Sequence, residues 1–185
     1  MPATVIIERY TGASGSPTRT DITGINTVAN AVDSHQLVVG TSTNPIQIPA
    51  TGGPNYSYWV STRLNITVAP AGSISNVKWY TDGTNNLGTG VGCRAAASNL
   101  YGQATGTPGV TGLSMSAPSS PIAASLVGLQ NAFLYTAASS LTVFASTASS
   151  TGAFGSFVVY QMDVATTASP GPTPQETFTF TYDET

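Results

Sequence analysis

Residues 58–68, YWVSTRLNITV, alternate between apolar and polar positions. Tyr58, Val60, Leu64, Ile66 and Val68 share one parity, with Thr62 among them. Trp59, Ser61, Arg63, Asn65 and Thr67 take the other. A period of two marks a half-buried strand. Pro70 and Gly72 end it, and residues 74–80, ISNVKWY, predict another strand. Asp82-Gly83 then supplies the residue at positive φ that a tight turn needs. Near the C-terminal end, residues 157–164 place Val158, Tyr160, Met162 and Val164 on one face. Residues 168–174, ASPGPTP, cannot hold regular structure, because proline fixes φ and removes a donor. Residues 176–183, ETFTFTYD, alternate strictly, with Phe178, Phe180 and Tyr182 on one face. Their aromatic burial predicts a strand integral to the core.

Shorter strands are predicted at 4–9, 36–39, 91–97, 100–104 and 141–146. One stretch follows a different rhythm. Ile122, Leu126, Leu129 and Phe133 recur at helical spacing, with Ser120 as a candidate N-cap and Pro121 at the first helical position. Gly128 opposes a helix interior. Residues 120–134 therefore read either as one short helix or as a strand with a bulge. Residues 10–35 and 40–57 are rich in Gly, Thr, Asn and Pro with little periodicity, so residues 1–57 read as a loop-rich arm or peripheral part. The sum is all-β: a single domain over 1–185, an antiparallel β-sandwich or jelly-roll-like fold with long loops. The Cys–Trp–Cys frame of an immunoglobulin domain is missing, because Cys93 is the only cysteine.

Composition changes this picture in one respect. Charged residues make up 7% of the chain, against about 25% in an ordinary soluble domain. Hydrophobic residues make up 41% and mean hydropathy is +0.10, so the deficit does not signal disorder. A surface of Ser, Thr, Asn and Gly has little charge to hold neighbours apart. The basic residues Arg9, Arg19, Arg63, Lys78 and Arg94 are scattered, which argues against phosphate neutralisation and nucleic-acid binding. No apolar run reaches the ~18 residues of a membrane-spanning helix. The first ten residues lack the basic start and long apolar run of a secretory signal.

Candidate chemistry is sparse. His35 is the only histidine, and Asp33 lies two positions away, on the same face if the segment is a strand. A general base needs such an oriented partner, but a polar loop histidine is the simpler expectation. One His and one Cys do not make a zinc site. Cys93 reads as a small buried thiol, although Arg94 stands beside it. The carboxylates form no recognisable pair for acid–base work. Asp82-Gly-Thr-Asn-Asn86 misses the alternating ligand spacing of a calcium loop. The expectation is a protein that is not an enzyme, with no catalytic, cofactor or metal residues. Tyr56, Tyr58, Trp59, Trp79 and Tyr80 concentrate aromatic surface. Trp59, Tyr56 and Arg63 are the candidate interface or ligand contacts, Trp59 with much of its burial expected between subunits.

Four traits together resemble structural proteins of tailed-bacteriophage virions. They are the start without a signal, the Thr/Ser/Gly-rich β pattern, the scarcity of charge, and the strand–PGPTP–strand ending. The resemblance implies a head decoration (cement) protein, another capsid component, or a tail or fibre β domain that stabilises the particle. Its partners would be copies of itself and other virion proteins, in a homo-oligomer of three or more, with no nucleic acid and no membrane. Its location would be the virion, assembled in the host cytoplasm. No functional residues carry over. The competing expectation is an extracellular carbohydrate-binding or adhesin module. Such a module would use Trp59, Tyr56 or Trp79 as a stacking platform and Asn and Asp as hydroxyl partners.

Overall fold

The computed structural model describes residues 1–36 and 43–185. In chain order the strands are β1 (Thr4–Thr11), β2 (Thr18–Asp21), β3 (Asn55–Tyr56), β4 (Val60–Val68), β5 (Ile74–Tyr80) and β6 (Val91–Ser98). There follow β7 (Gly106–Thr107), β8 (Thr111–Gly112), β9 (Leu126–Asn131), β10 (Leu141–Ala148), β11 (Gly152–Val164) and β12 (Thr179–Glu184). Every pairing among the described residues is antiparallel. The chain is all-β, as the alternation and turn pattern predict.

Nine strands form one sheet in the order β2-β1-β4-β11-β3-β8-β7, with β6 paired to β11 and β9 paired to β6. Three form a second sheet in the order β10-β5-β12. β11 is the hub. Its 13 residues pair with β4 and then β3 along one edge and with β6 along the other, and the register against β4 shifts at a bulge between Phe154 and Val158.

The two sheets pack face to face. Val60, Leu64 and Ile66 of β4, Cys93 and Ala95 of β6, and Phe154, Val158 and Tyr160 of β11 meet Ile74, Val77 and Trp79 of β5 and Leu141 and Val143 of β10. The inward residues keep one parity along β4, β6, β10 and β11, as a sandwich requires, while on β5 the step from Ile74 to Val77 breaks it at Asn76, which has φ +50. The other face of the large sheet is also covered, but by irregular chain. Tyr58, Trp59, Phe157 and Val159 pack there against Ala31, Ala104, Met115 and Ile122.

Several expectations change. Residues 120–134 form no helix: 3-10 turns at Ala123–Ser125 and Ala132–Leu134 flank β9. The bulge alternative holds, because the β6–β9 register shifts between Ala95 and Ala97. Gly128 sits at φ +71, where a Cβ would meet the Tyr135 hydroxyl at 2.6 Å. The helical spacing arose from two turns and a bulge that each displace the strand period.

The first 57 residues are not an arm throughout. β1 lies between β2 and β4 and pairs with β4 from Thr4 to Tyr10. No strand forms at 100–104, and positions 37–39 of the candidate strand at 36–39 lie outside the described residues. β12 starts at Thr179, and Phe178 and Phe180 pack against the core. Tyr182 is 36% exposed. A register shift between Thr181 and Asp183 interrupts the alternation there.

Candidate functional site

The tryptophans are removed from the list of surface contacts. Trp59 is 2% exposed, with its indole N–H donating to Gly102 O at 3.0 Å. Trp79 lies between the sheets, 5.2 Å from the Phe178 ring. Neither offers a face to a ligand. Trp59 is buried by its own chain, under residues 99–122, so its burial requires no neighbouring subunit.

Arg63 is engaged structurally. Its Nε donates to Gly155 O at 2.9 Å, and its guanidinium lies 5.0 Å from the centre of the Phe157 ring. Both contacts fasten the bulge in β11. The residue also borders a broad open depression of about 580 Å³ beside Val143, Phe144 and Ser156. Among the described residues no other titratable side chain lines it.

The catalytic candidates do not assemble. The segment holding Asp33 and His35 is bent chain, not strand. The Asp33 carboxylate accepts from Gly12 N at 2.8 Å, and burial raises its pKa. His35 Nδ1 is buried without a hydrogen-bond partner among the described residues, and burial together with Arg9 lowers the imidazole pKa. Cys93 is buried between the sheets, and burial, with the nearby Asp163 charge, pushes its thiol up to about 12. A thiol in that state is a poor nucleophile. Asp82 accepts from Thr84 N at 2.8 Å, closing a local turn. Among the described residues no three His, Cys, Asp or Glu side chains converge as a metal site.

Tyr56 is placed differently. It lines a depression of about 330 Å³ with Pro54, Gly92, Cys93, Arg94, Asn131 and Asp163. Register explains the grouping. Asp163 on β11 is paired with Tyr56 on one side and Gly92 on the other. Arg94, two positions along β6, is paired with Asn131 on β9. The four polar side chains thus come from four neighbouring strands. Gly92 lies beneath them: a Cβ there would sit 2.7 Å from Asp163 Oδ1 and displace the carboxylate.

Burial raises the Asp163 pKa, and Arg94 partly offsets the effect. No hydrogen bond or ion pair within the described residues engages the Asp163 carboxylate, the Arg94 guanidinium or the Tyr56 hydroxyl. Asn131 Oδ1 accepts from Phe133 N at 3.0 Å, which leaves its amide N–H groups available. One acceptor, several donors and an aromatic ring therefore face the same depression.

Sequence reasoning named Tyr56 but missed Asp163, Arg94 and Asn131 as its neighbours. A signal existed for Asp163, a carboxylate near the end of the apolar run 157–164. For the other two there was none, because only strand register brings them near. No family model, no curated protein and no solved structure matches the chain.

Proposed function

We propose that the chain is a non-enzymatic structural subunit of a virion, self-associating into a trimer or larger assembly that stabilises the particle as a decoration, cement or capsid component. The observation that carries the self-association is the contrast between sheet edges. β2 bears Arg19 and Asp21, and β12 ends in Asp183 and Glu184. Charges of this kind deter edge-to-edge pairing. β9 and β10 bear none. No residue between Arg94 and Asp163 is charged. Beside the β9 edge, Val127 is 68% exposed and Leu134 58% exposed.

An uncharged, apolar edge is a template for a second strand, and in β9 the segments on either side of Gly128, whose carbonyl accepts from the Tyr135 hydroxyl, supply it. Ser and Thr surfaces cost less to desolvate than charged ones, which suits a chain whose neighbours are copies of itself. The virion location, with assembly in the host cytoplasm, rests on the compositional resemblance described above. Neither nucleic acid nor membrane enters the proposal.

Sedimentation velocity over a wide concentration range tests the association, with imaging of the native particle to assign the chain. The expected result is a trimer or larger species that Val127→Lys weakens, since a charge on the edge must be desolvated for pairing. A chain that stays monomeric at high concentration and is absent from any particle overturns the reading.

A further inference from the structure

We propose that the depression formed by Tyr56, Arg94, Asn131 and Asp163 is a binding site for a neutral saccharide. The proposal does not rest on the assembly reading, since all four residues belong to one chain.

Charge is the first argument. In a chain with only 7% charged residues, Arg94 and Asp163 bracket the long uncharged stretch and yet face the same depression. They are close enough for Arg94 to act on the Asp163 titration, but they form no ion pair among the described residues. A half-buried carboxylate held off its cation retains full acceptor capacity. The site is neutral in sum, which disfavours an ionic ligand and suits a polyhydroxylated one.

Geometry is the second. A sugar ring presents hydroxyls around its rim and C–H groups on its faces. The carboxylate of Asp163 accepts from hydroxyls in charge-assisted bonds, and the Arg94 and Asn131 N–H groups donate to hydroxyl oxygens. Tyr56 and Pro54 supply apolar surface for the C–H face. Gly92 leaves room for the Asp163 carboxylate to lie across β6 at the floor of the depression. The volume of about 330 Å³ falls at the lower end of small-molecule sites, about 300–1,000 Å³, so one sugar residue is the expected occupant. The depression is open, so affinity for a single sugar should be weak and rise with repeated presentation.

The test is a titration of the isotope-labelled full chain, followed by amide NMR. The probes are the methyl glycosides of glucose, galactose, mannose and N-acetylglucosamine, with glycine and inorganic phosphate as ionic controls. At least one glycoside should shift the amides of Tyr56, Gly92, Arg94, Asn131 and Asp163 saturably. Asp163→Asn should weaken that binding about tenfold or more, because a charge-assisted acceptor becomes a neutral amide. Should that variant fail to fold, the exposed Arg94→Ala carries the same expected loss. No glycoside response at these residues overturns the proposal. So does a response to glycine or phosphate alone, or glycoside binding unchanged in a folded variant.

Discussion

One face of the nine-stranded sheet is covered by a second sheet and the other by irregular chain, and the two coverings depend on different chemistry. Between the sheets, the covering strands pair with one another, β5 along both of its edges. The side chains there need only fill space: Trp79, Phe178 and Tyr160 stack edge to face, with Phe178 4.8 Å from Tyr160. On the opposite face the covering chain has only the short β7–β8 ladder, so sheet side chains bind much of its remaining backbone. Gln161, buried on β11, donates to Ser57 O and Leu113 O at 2.7 Å each and accepts from Met115 N at 2.8 Å. Trp59 binds Gly102 O, and Tyr101 binds Gly12 O. A sheet covered by a sheet needs volume; a sheet covered by loops needs polar clamps as well.

The largest effect expected from this contrast is on the inner face. Trp79→Ala should cost about 4 kcal/mol through a cavity that rigid strands cannot close, or roughly 8–16 °C in Tm. The loss should be global, with all amides exchanging faster together, as calorimetry combined with hydrogen exchange would show. Unchanged melting would mean that the two sheets do not share a core.

On the loop-covered face, Gln161→Leu preserves volume but leaves one donor and two acceptors without partners. The expected cost is about 3 kcal/mol. Hydrogen exchange should rise first at residues 99–122, well before the strands open. Equal acceleration in both layers would erase the distinction drawn above.

The smallest effect should be a pH dependence confined to the irregular chain. The folded-state pKa of His35 lies below its ordinary value of about 6.5. The unfolded chain therefore binds the proton more readily. Stability from this group is complete above about 6.5 and declines as pH falls toward the lowered folded value. Asp33, with its raised pKa, acts in the opposite direction at lower pH. Tm should fall measurably between pH 7.5 and 5.5, and His35→Asn should flatten that slope.

Much of the architecture was legible where alternation was long. Residues 58–68 predict β4, and Val60, Leu64 and Ile66 do face the second sheet. Tyr58 shares their parity yet packs with Trp59 on the other face. The regular strand begins only at Val60, and parity has no meaning outside it. Tyr182 fails for a related reason, since an irregular register on an edge strand breaks the alternation. Residues 120–134 show the converse, where turns and a bulge imitate a helical period. Of the candidate contacts, Tyr56 reaches a depression, Arg63 fastens a bulge, and Trp59 is buried.

Period, proline placement and scarcity of charge are local properties, so the sequence by itself determined an all-β chain with a bland exterior and a buried, unreactive cysteine. Which neighbours a strand has is decided by pairings between residues far apart in the chain. Only the folded molecule therefore decided that both faces of the large sheet are covered, and that Tyr56, Arg94, Asn131 and Asp163 stand side by side.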